Sequence, residues 1–469
     1  MERALQRRRR DIAFTEGGVF GKIIIFALPI MFTNVLQLLF NAADMIVVGR
    51  YSGVEGAVGA VGSTSPVIFI IINLMIGVSV GANVVVSNTI GANDPNKTRR
   101  AVHTALVVGF IFGIVCMIIG LLFSRRLLLL MNADEELFDL SVLYLRIYFF
   151  GVPFTALANY SASIFRAKGD PRTPMIVMTS SGVLNVLLNL FFVCVCNMSV
   201  DGVAIATMIA NAVSALVLLL LLFFAKDATK LHLRSFLSPD RALIRRMLSI
   251  GIPAGLQSCM FSLSNFFVQG AINSFGKIVI EGSAIAGQLD SIIFTSTNAF
   301  HQAALTFVGQ NIGASRYDRL KRITFGCYAT GVCTSVVLVG IIYALRIPLV
   351  NLYIDPNFES VDLIVEAALV RVSVSTLLCF FQSFMDVGSG LLRAMNRSMT
   401  AFLSTFVGTC VFRIVWVHTV FKRTQNLNLL YYSFPISWFA TGAVIMVFVF
   451  FTLRKLQRKH VSAPAQANA

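Results

Sequence analysis

Charged side chains are scarce in this sequence, at 13% of 469 residues against 57% hydrophobic. Soluble domains carry about 25%, so a water-soluble globule is excluded. The eight cysteines form no CxxC pair. Cys194 and Cys196 have the wrong spacing for a zinc or redox site, and no histidine clusters with them, which leaves small buried hydrophobes. A phosphate-binding loop is missing as well. In "EGGVFGKI" the first glycine is out of register, and no Ser or Thr follows Lys22. Without an enzyme constellation, a cofactor motif or an ATPase engine, any uphill work must draw on an ion gradient or a partner. We expect a protein that is not an enzyme.

What is present is apolar length. Mean hydropathy is +0.79, and charge clusters in short loops between apolar runs of about 20 residues, the length that crosses a bilayer as helix. Twelve spans are expected, from 19–48 to 429–453, with the eighth at 283–307 and the tenth at 361–385. The runs do not alternate polar and apolar as barrel strands do. "RRRR" at Arg7–Arg10 resembles the start of a signal peptide, but the apolar run behind it is too long and has no small-residue cleavage site. The fold class expected is an all-α polytopic membrane protein.

Lysine and arginine number 28 on one set of loops and 7 on the other, with three more inside spans. That asymmetry predicts a multi-pass protein of the cytoplasmic membrane with both termini in the cytoplasm. The net charge of +16 then reflects topology and anionic headgroups, with lipids as partners and no nucleic acid. The domains read as a basic N-terminus 1–18, a six-helix bundle 19–224, a cytoplasmic linker 225–246, a second bundle 247–453 and a basic tail 454–469.

The two bundles repeat one another. "FALPIMFTNVLQLLFN" aligns with "IGIPAGLQSCMFSLSN", pairing Pro29 with Pro253 and Asn41 with Asn265. "VVVSNTIGANDPNKTRR" aligns with "LTFVGQNIGASRYDRLKR", pairing Gly91 with Gly313, and Arg166 falls on Arg393. Six spans per repeat make the repeats parallel, a known transporter plan.

Polar residues inside the spans mark where transport chemistry would sit. Asn34, Gln37, Asn41 and Asp44 are spaced 3, 4 and 3, one stripe on a helix. Ser258, Ser262, Asn265 and Gln269 repeat it without the acid. A carboxylate in hydrocarbon is costly unless paired, and burial disfavours its charged form. Asp44 can therefore take up a proton or sodium ion, or it can simply approach the outer headgroups beside Arg50. Asn185 and Asn189, one turn apart, can ligate an ion or pack helices. Asp290, followed on its face by Thr297 and His301, and Asp386, with Gln382 a turn before it, are candidates for a second acidic patch. Each is expected near a helix end, where it could also be solvated or capping. His301 is read as a titrating group or a satisfied core histidine. Arg146, Arg371 and Arg413 either snorkel outward or pair with acids. An acid-lined cavity favours cationic amphipathic substrates.

The stretches "ALPIMFTNVLQLLFNAADMIVVGR", "VSNTIGAND", "FRAKGDPRTPM", "LNVLLNLFFV", "DGVAIATMIA" and "LTFVGQNIGASRYDRLKR" resemble the multidrug and toxic compound extrusion (MATE) transporters of bacterial type. That family lies within the wider multidrug/oligosaccharidyl-lipid/polysaccharide exporter superfamily. The resemblance covers about residues 20 to 450. It implies two six-helix bundles forming a V, and antiport of drugs or dyes, with the chain working as a monomer. On this resemblance Asp44 is the cation-coupling aspartate and Asn185 belongs to the same site, with Na+ at Asp44 and Asn185 as one reading. Thr207 matches a nearby threonine, and Asn189 stands where many members carry an aspartate. The seventh-helix acid of some sodium-coupled members is missing, and Asp386 is a looser match to a tenth-helix acid. The pattern favours H+ over Na+ as the coupling ion. The rival reading is a flippase or exporter of lipid-linked or polysaccharide precursors, which would favour a strongly basic central cavity.

Overall fold

The computed structural model describes residues 12, 14–52, 54, 56–130, 137–232, 236, 239–354 and 361–467. Arg7–Arg10 and parts of the expected linker and tail lie outside the described residues. Hydrocarbon leaves backbone N–H and C=O groups no solvent partner, so each span must satisfy its own, which the α-helix does. The helices are α1 (Phe20–Tyr51), α2 (Ala57–Gly91), α3 (Pro95–Leu130), α4 (Phe138–Lys168), α5 (Arg172–Leu190) and α6 (Val200–Phe223). There follow α7 (Arg241–Asn273), α8 (Lys277–Gly313), α9 (Tyr317–Ala344) and the short α10 (Arg346–Asn351). The last are α11 (Val361–Arg371), α12 (Phe380–Ala394), α13 (Ser398–Thr424) and α14 (Leu427–Ala467).

Among the described residues, eleven helices are long and apolar enough to cross a membrane, and α11 with α12, bent by 47°, makes a twelfth when taken as one span. This is a multi-pass membrane protein. Its outer faces are apolar, as on α3, where Ile111, Ile118, Ile119 and Leu122 are all exposed.

Two span boundaries differ from expectation in a way that matters. The eighth span is the 37-residue helix α8, and the tenth continues to Ala394. Asp290 and Asp386 therefore lie inside helices, not near their ends. Hydropathy marks only the hydrocarbon-matched part of a helix, whereas the backbone ladder continues until something stops it. For α8 that stop is Ser315, at φ 56°.

The repeat is visible in the backbone. Asn93 (φ 52°) and Ser315 (φ 56°) turn the chain after α2 and α8, while Gly169 (φ 99°) and Asn396 (φ 60°) do so after α4 and α12. These are left-handed positions, where Gly and Asn are tolerated and Ser is less usual.

The chain divides into two compact units, one made of Phe32–Gly255 and the other of Phe14–Met31 with Leu256 onward. In the first, α4 is the central helix, packed against α2, α3 and α6. Glycines bring α2 and α7 together there. A Cβ on Gly81 would meet the Met247 carbonyl oxygen at 2.1 Å, and one on Gly251 the Val78 oxygen at 2.5 Å.

In the second unit, α12 packs against α8, α9 and α14. Phe14 lies 5.4 Å from Phe26 and 4.3 Å from Phe307, ring centre to ring centre. The repeat aligns α4 with α11 and α12 together, so one continuous helix in the first unit corresponds to a broken one in the second. The break carries a π-helical turn, Val372–Thr376, a known cause of kinks.

Candidate functional site

In the first unit, Asp44 sits in the last third of α1, half-buried. Two carboxamides from α5 reach it. Asn189 Nδ2 donates to Asp44 Oδ1 at 2.5 Å. Asn185, oriented so that neither amide atom faces its own kind, donates from Nδ2 to the same oxygen at 2.8 Å. Its Oδ1 then accepts from Thr207 N at 3.3 Å and Thr207 Oγ1 at 3.2 Å on α6. Such amide orientations follow from the partners.

Asn185 and Asn189 can both point at one atom because a spacing of four stacks them on one helix face. Both donors fall on Oδ1, which leaves Oδ2 as the atom open to a proton. The Asn189 Oδ1 atom is buried and has no hydrogen-bond partner among the described residues.

The rest of the α1 stripe is not gathered here. Gln37 and Asn41 are exposed and Asn34 is half-buried. Val47 and Val48 pack instead into an apolar cluster with Tyr144, Val200 and Val203. Sequence reasoning did not single out Tyr144, because an aromatic in an apolar span carries no distinguishing signal.

The second unit holds two further polar clusters. In one, Asp290 on α8 is 2% exposed and pairs with Arg371 of α11, Nη2 to Oδ2 at 3.2 Å. Thr376 Oγ1 donates to Asp290 Oδ1 at 2.7 Å. Arg371 Nη1 donates to the Ser283 hydroxyl at 2.7 Å and carbonyl at 3.0 Å. Nearby, Asn265 on α7 accepts from Arg413 Nη1 at 2.8 Å, and Gln269 donates to Asn273 at 2.9 Å. Arg371 therefore pairs with an acid, and Arg413, fully buried, does not snorkel. Arg146 is exposed.

In the other cluster, His301 is held on both ring nitrogens. Nδ1 lies 2.8 Å from the Asp386 carbonyl oxygen, and Nε2 lies 3.0 Å from Arg393 Nη1. An arginine can only donate, so Nε2 accepts and Nδ1 carries the proton. His301 is a neutral, doubly satisfied histidine. Arg393 Nη2 also donates to Gln257 at 2.9 Å, and Gln382 donates to Asp386 Oδ2 at 3.3 Å. Asp290 and Asp386 thus belong to separate networks, and the single second acidic patch anticipated from the sequence is two mixed-charge clusters. Among the described residues, no three His, Cys, Asp or Glu side chains group as a metal site.

The MatE family model matches residues 29–191 and 253–417, once per repeat. Among curated relatives, a probable multidrug resistance protein YoeA of Bacillus subtilis is 28% identical over 77% of this chain and 79% of its own length. A probable multidrug resistance protein NorM of Thermotoga maritima is 25% identical over 86% of each chain. Among solved structures, a MATE in complex with MaD3S superposes with TM-score 0.86 at 21% identity, over 95% of this chain and 98% of that one. An outward-facing multidrug resistance MATE transporter of the MOP superfamily gives TM-score 0.87 at 22% identity over the same shares. At that identity the two structures speak to fold alone.

Proposed function

The chain belongs to the MatE family, and from that premise we propose that it is a secondary active transporter exporting amphipathic cationic drugs or dyes, with Asp44 as the group that exchanges the coupling ion. The observation that carries this reading is a carboxylate inside a membrane span, held on one oxygen by Asn185 and Asn189 and open on the other. Such a carboxylate is costly in the membrane, and intramembrane acids of this kind mark ion pathways.

Proton is the ion this arrangement favours. Uptake at Oδ2 turns an acceptor-only group into a donor. One acid and two neutral carboxamides supply only a single negative charge, which is thin for holding sodium. In the cycle we propose, loss of the proton restores a negative charge that attracts the cationic substrate. Protonation removes it and releases the cargo, so substrate and proton alternate at one charge. Asn185 and Thr207 are positioning residues in this scheme, and the lysine and arginine asymmetry supports cytoplasmic termini.

The test is dye efflux in proteoliposomes under separately imposed proton and sodium gradients, comparing the wild type with Asp44→Asn. The expected outcome is proton-driven export in the wild type and an uncoupled variant that binds dye only with the weak affinity of the protonated state. The dependence of dye affinity on pH, about 5- to 150-fold for a typical coupling, should flatten. A variant that couples normally would remove Asp44 from the mechanism, and a response to sodium alone would change the ion.

A further inference from the structure

Gly182 lies inside α5 and is not one of the left-handed glycines, which among the described residues are Gly17, Gly56, Gly169 and Gly276. Its backbone is ordinary helix, which alanine forms better than glycine does. The reason for a glycine here is therefore space. A Cβ at this position would fall on the edge of the Phe40 ring of α1, onto Cδ2 and Cε2 and 2.9 Å from Cζ.

That contact is in register with the Asp44 site. Phe40 is four residues before Asp44, one turn of α1, and Gly182 is three before Asn185 and seven before Asn189, on one face of α5. As the first and fifth of successive spans, α1 and α5 cross in the same direction. Going along the pair, Phe40 meets Gly182 first. About 6 Å further along α1, Asp44 meets Asn185 and Asn189. Beyond them, Val47 and Val48 share an apolar cluster with Val193, just past the end of α5.

Asp and Asn side chains are short, so two carboxamides reach one carboxylate oxygen only if the helices run close together. The distance between packed helices is set by the side chains at their contact, and glycine lets backbones approach most closely. On another side α5 is tied to α6, where the Ser181 hydroxyl donates to the Ala210 carbonyl and Asn185 accepts from Thr207. A side chain added at 182 therefore displaces α1 rather than α5.

We propose that Gly182 and Phe40 are positioning residues of the Asp44 site. The ring seated on the bare backbone of α5 fixes the spacing at which Asn185 and Asn189 both bond Asp44 Oδ1. A methyl group at 182 lifts α1 and stretches those two bonds, and at about 3.6 Å such a contact is no longer a hydrogen bond. The inference rests on Asp44 as the ion-exchanging group for its bearing on transport, but not for its geometry.

The test is infrared, because a proton on Oδ2 leaves Oδ1 as the carbonyl oxygen, whose stretching frequency is lowered by each amide donor. Difference spectra in lipid vesicles, each protein against its own Asp44→Asn partner and in acid at full protonation, isolate that band. Gly182→Ala should move it to higher frequency. Adding Phe40→Ala, which removes the ring that the methyl meets, should move it back. An unmoved band in Gly182→Ala, or a shift that Phe40→Ala does not reverse, overturns the proposal. If Gly182→Ala does not fold, Phe40→Trp enlarges the same contact from the α1 side and decides alone, an unmoved band again overturning it. A reversible shift in a protein whose Asp44→Asn variant still couples supports the spacing and ends the transport reading alone.

Discussion

Asn189 donates its amide hydrogen to Asp44 across 145 residues of sequence and 2.5 Å of space. The acid and its nearest carboxamide come from the first and fifth spans, and only their helices' packing makes them one site. Asn189 also sets how many negative charges the site can carry.

Replacing Asn189 with aspartate puts a second carboxyl in hydrogen-bond reach of the first. Two such groups cannot both ionise, so the pair would share a proton and release it in two coupled steps. We expect Asn189→Asp to raise the proton-to-dye ratio by one. The ratio is read from the pH gradient that just balances an imposed dye gradient in proteoliposomes. An unchanged ratio would separate Asn189 from the coupling step.

Asp290 and Arg371 form a buried ion pair with side chains 2% and 12% exposed. Asp290→Asn leaves a guanidinium uncompensated in a low-dielectric interior, which costs about 3–5 kcal/mol. Removing both charges together, as in Asp290→Asn with Arg371→Met, should recover most of that loss. Thermal unfolding in detergent tests the order: wild type and double variant close together, the single variant well below. A single variant as stable as the wild type would contradict the pairing.

Asp227, in the loop after α6, is held below the usual carboxylate range. Burial pushes its carboxyl up, but the Lys168 ammonium at 3.3 Å and hydrogen bonds from Thr229 outweigh burial. A carboxyl lowered in the folded state contributes stability above its unfolded pKa of about 3.9, and that contribution fades as pH falls through the folded value. Asp227→Asn should therefore lower the melting temperature modestly at pH 7, with the gap closing below about pH 4. Because the carboxylate is 46% exposed, added salt should also narrow it. A gap that persists at low pH would assign the effect to packing instead.

The legible part of this protein is what depends on residue spacing along a helix. Apolar runs of bilayer length showed the spans, and recurring Pro29/Pro253 and Asn41/Asn265 showed the repeat. The spacing of Asn185 and Asn189 showed a shared face. Helix ends were less legible, because the backbone ladder runs past the apolar core. That is why Asp290 proved interior to α8.

Tertiary structure alone decided which polar groups meet. Gln37 and Asn41 share a stripe with Asp44, yet Asp44 takes its donors from α5. Asp290 and Asp386 looked like one patch, but Arg371 and Arg393 draw them into separate clusters. Arg413 could equally have reached for headgroups, and its burial against three aromatic rings depends on how α13, α7 and α14 pack. The reason is physical. Helix periodicity is local and is written in neighbouring residues, whereas electrostatic pairing in a low-dielectric interior is set by distances of a few ångströms between chain segments more than a hundred residues apart.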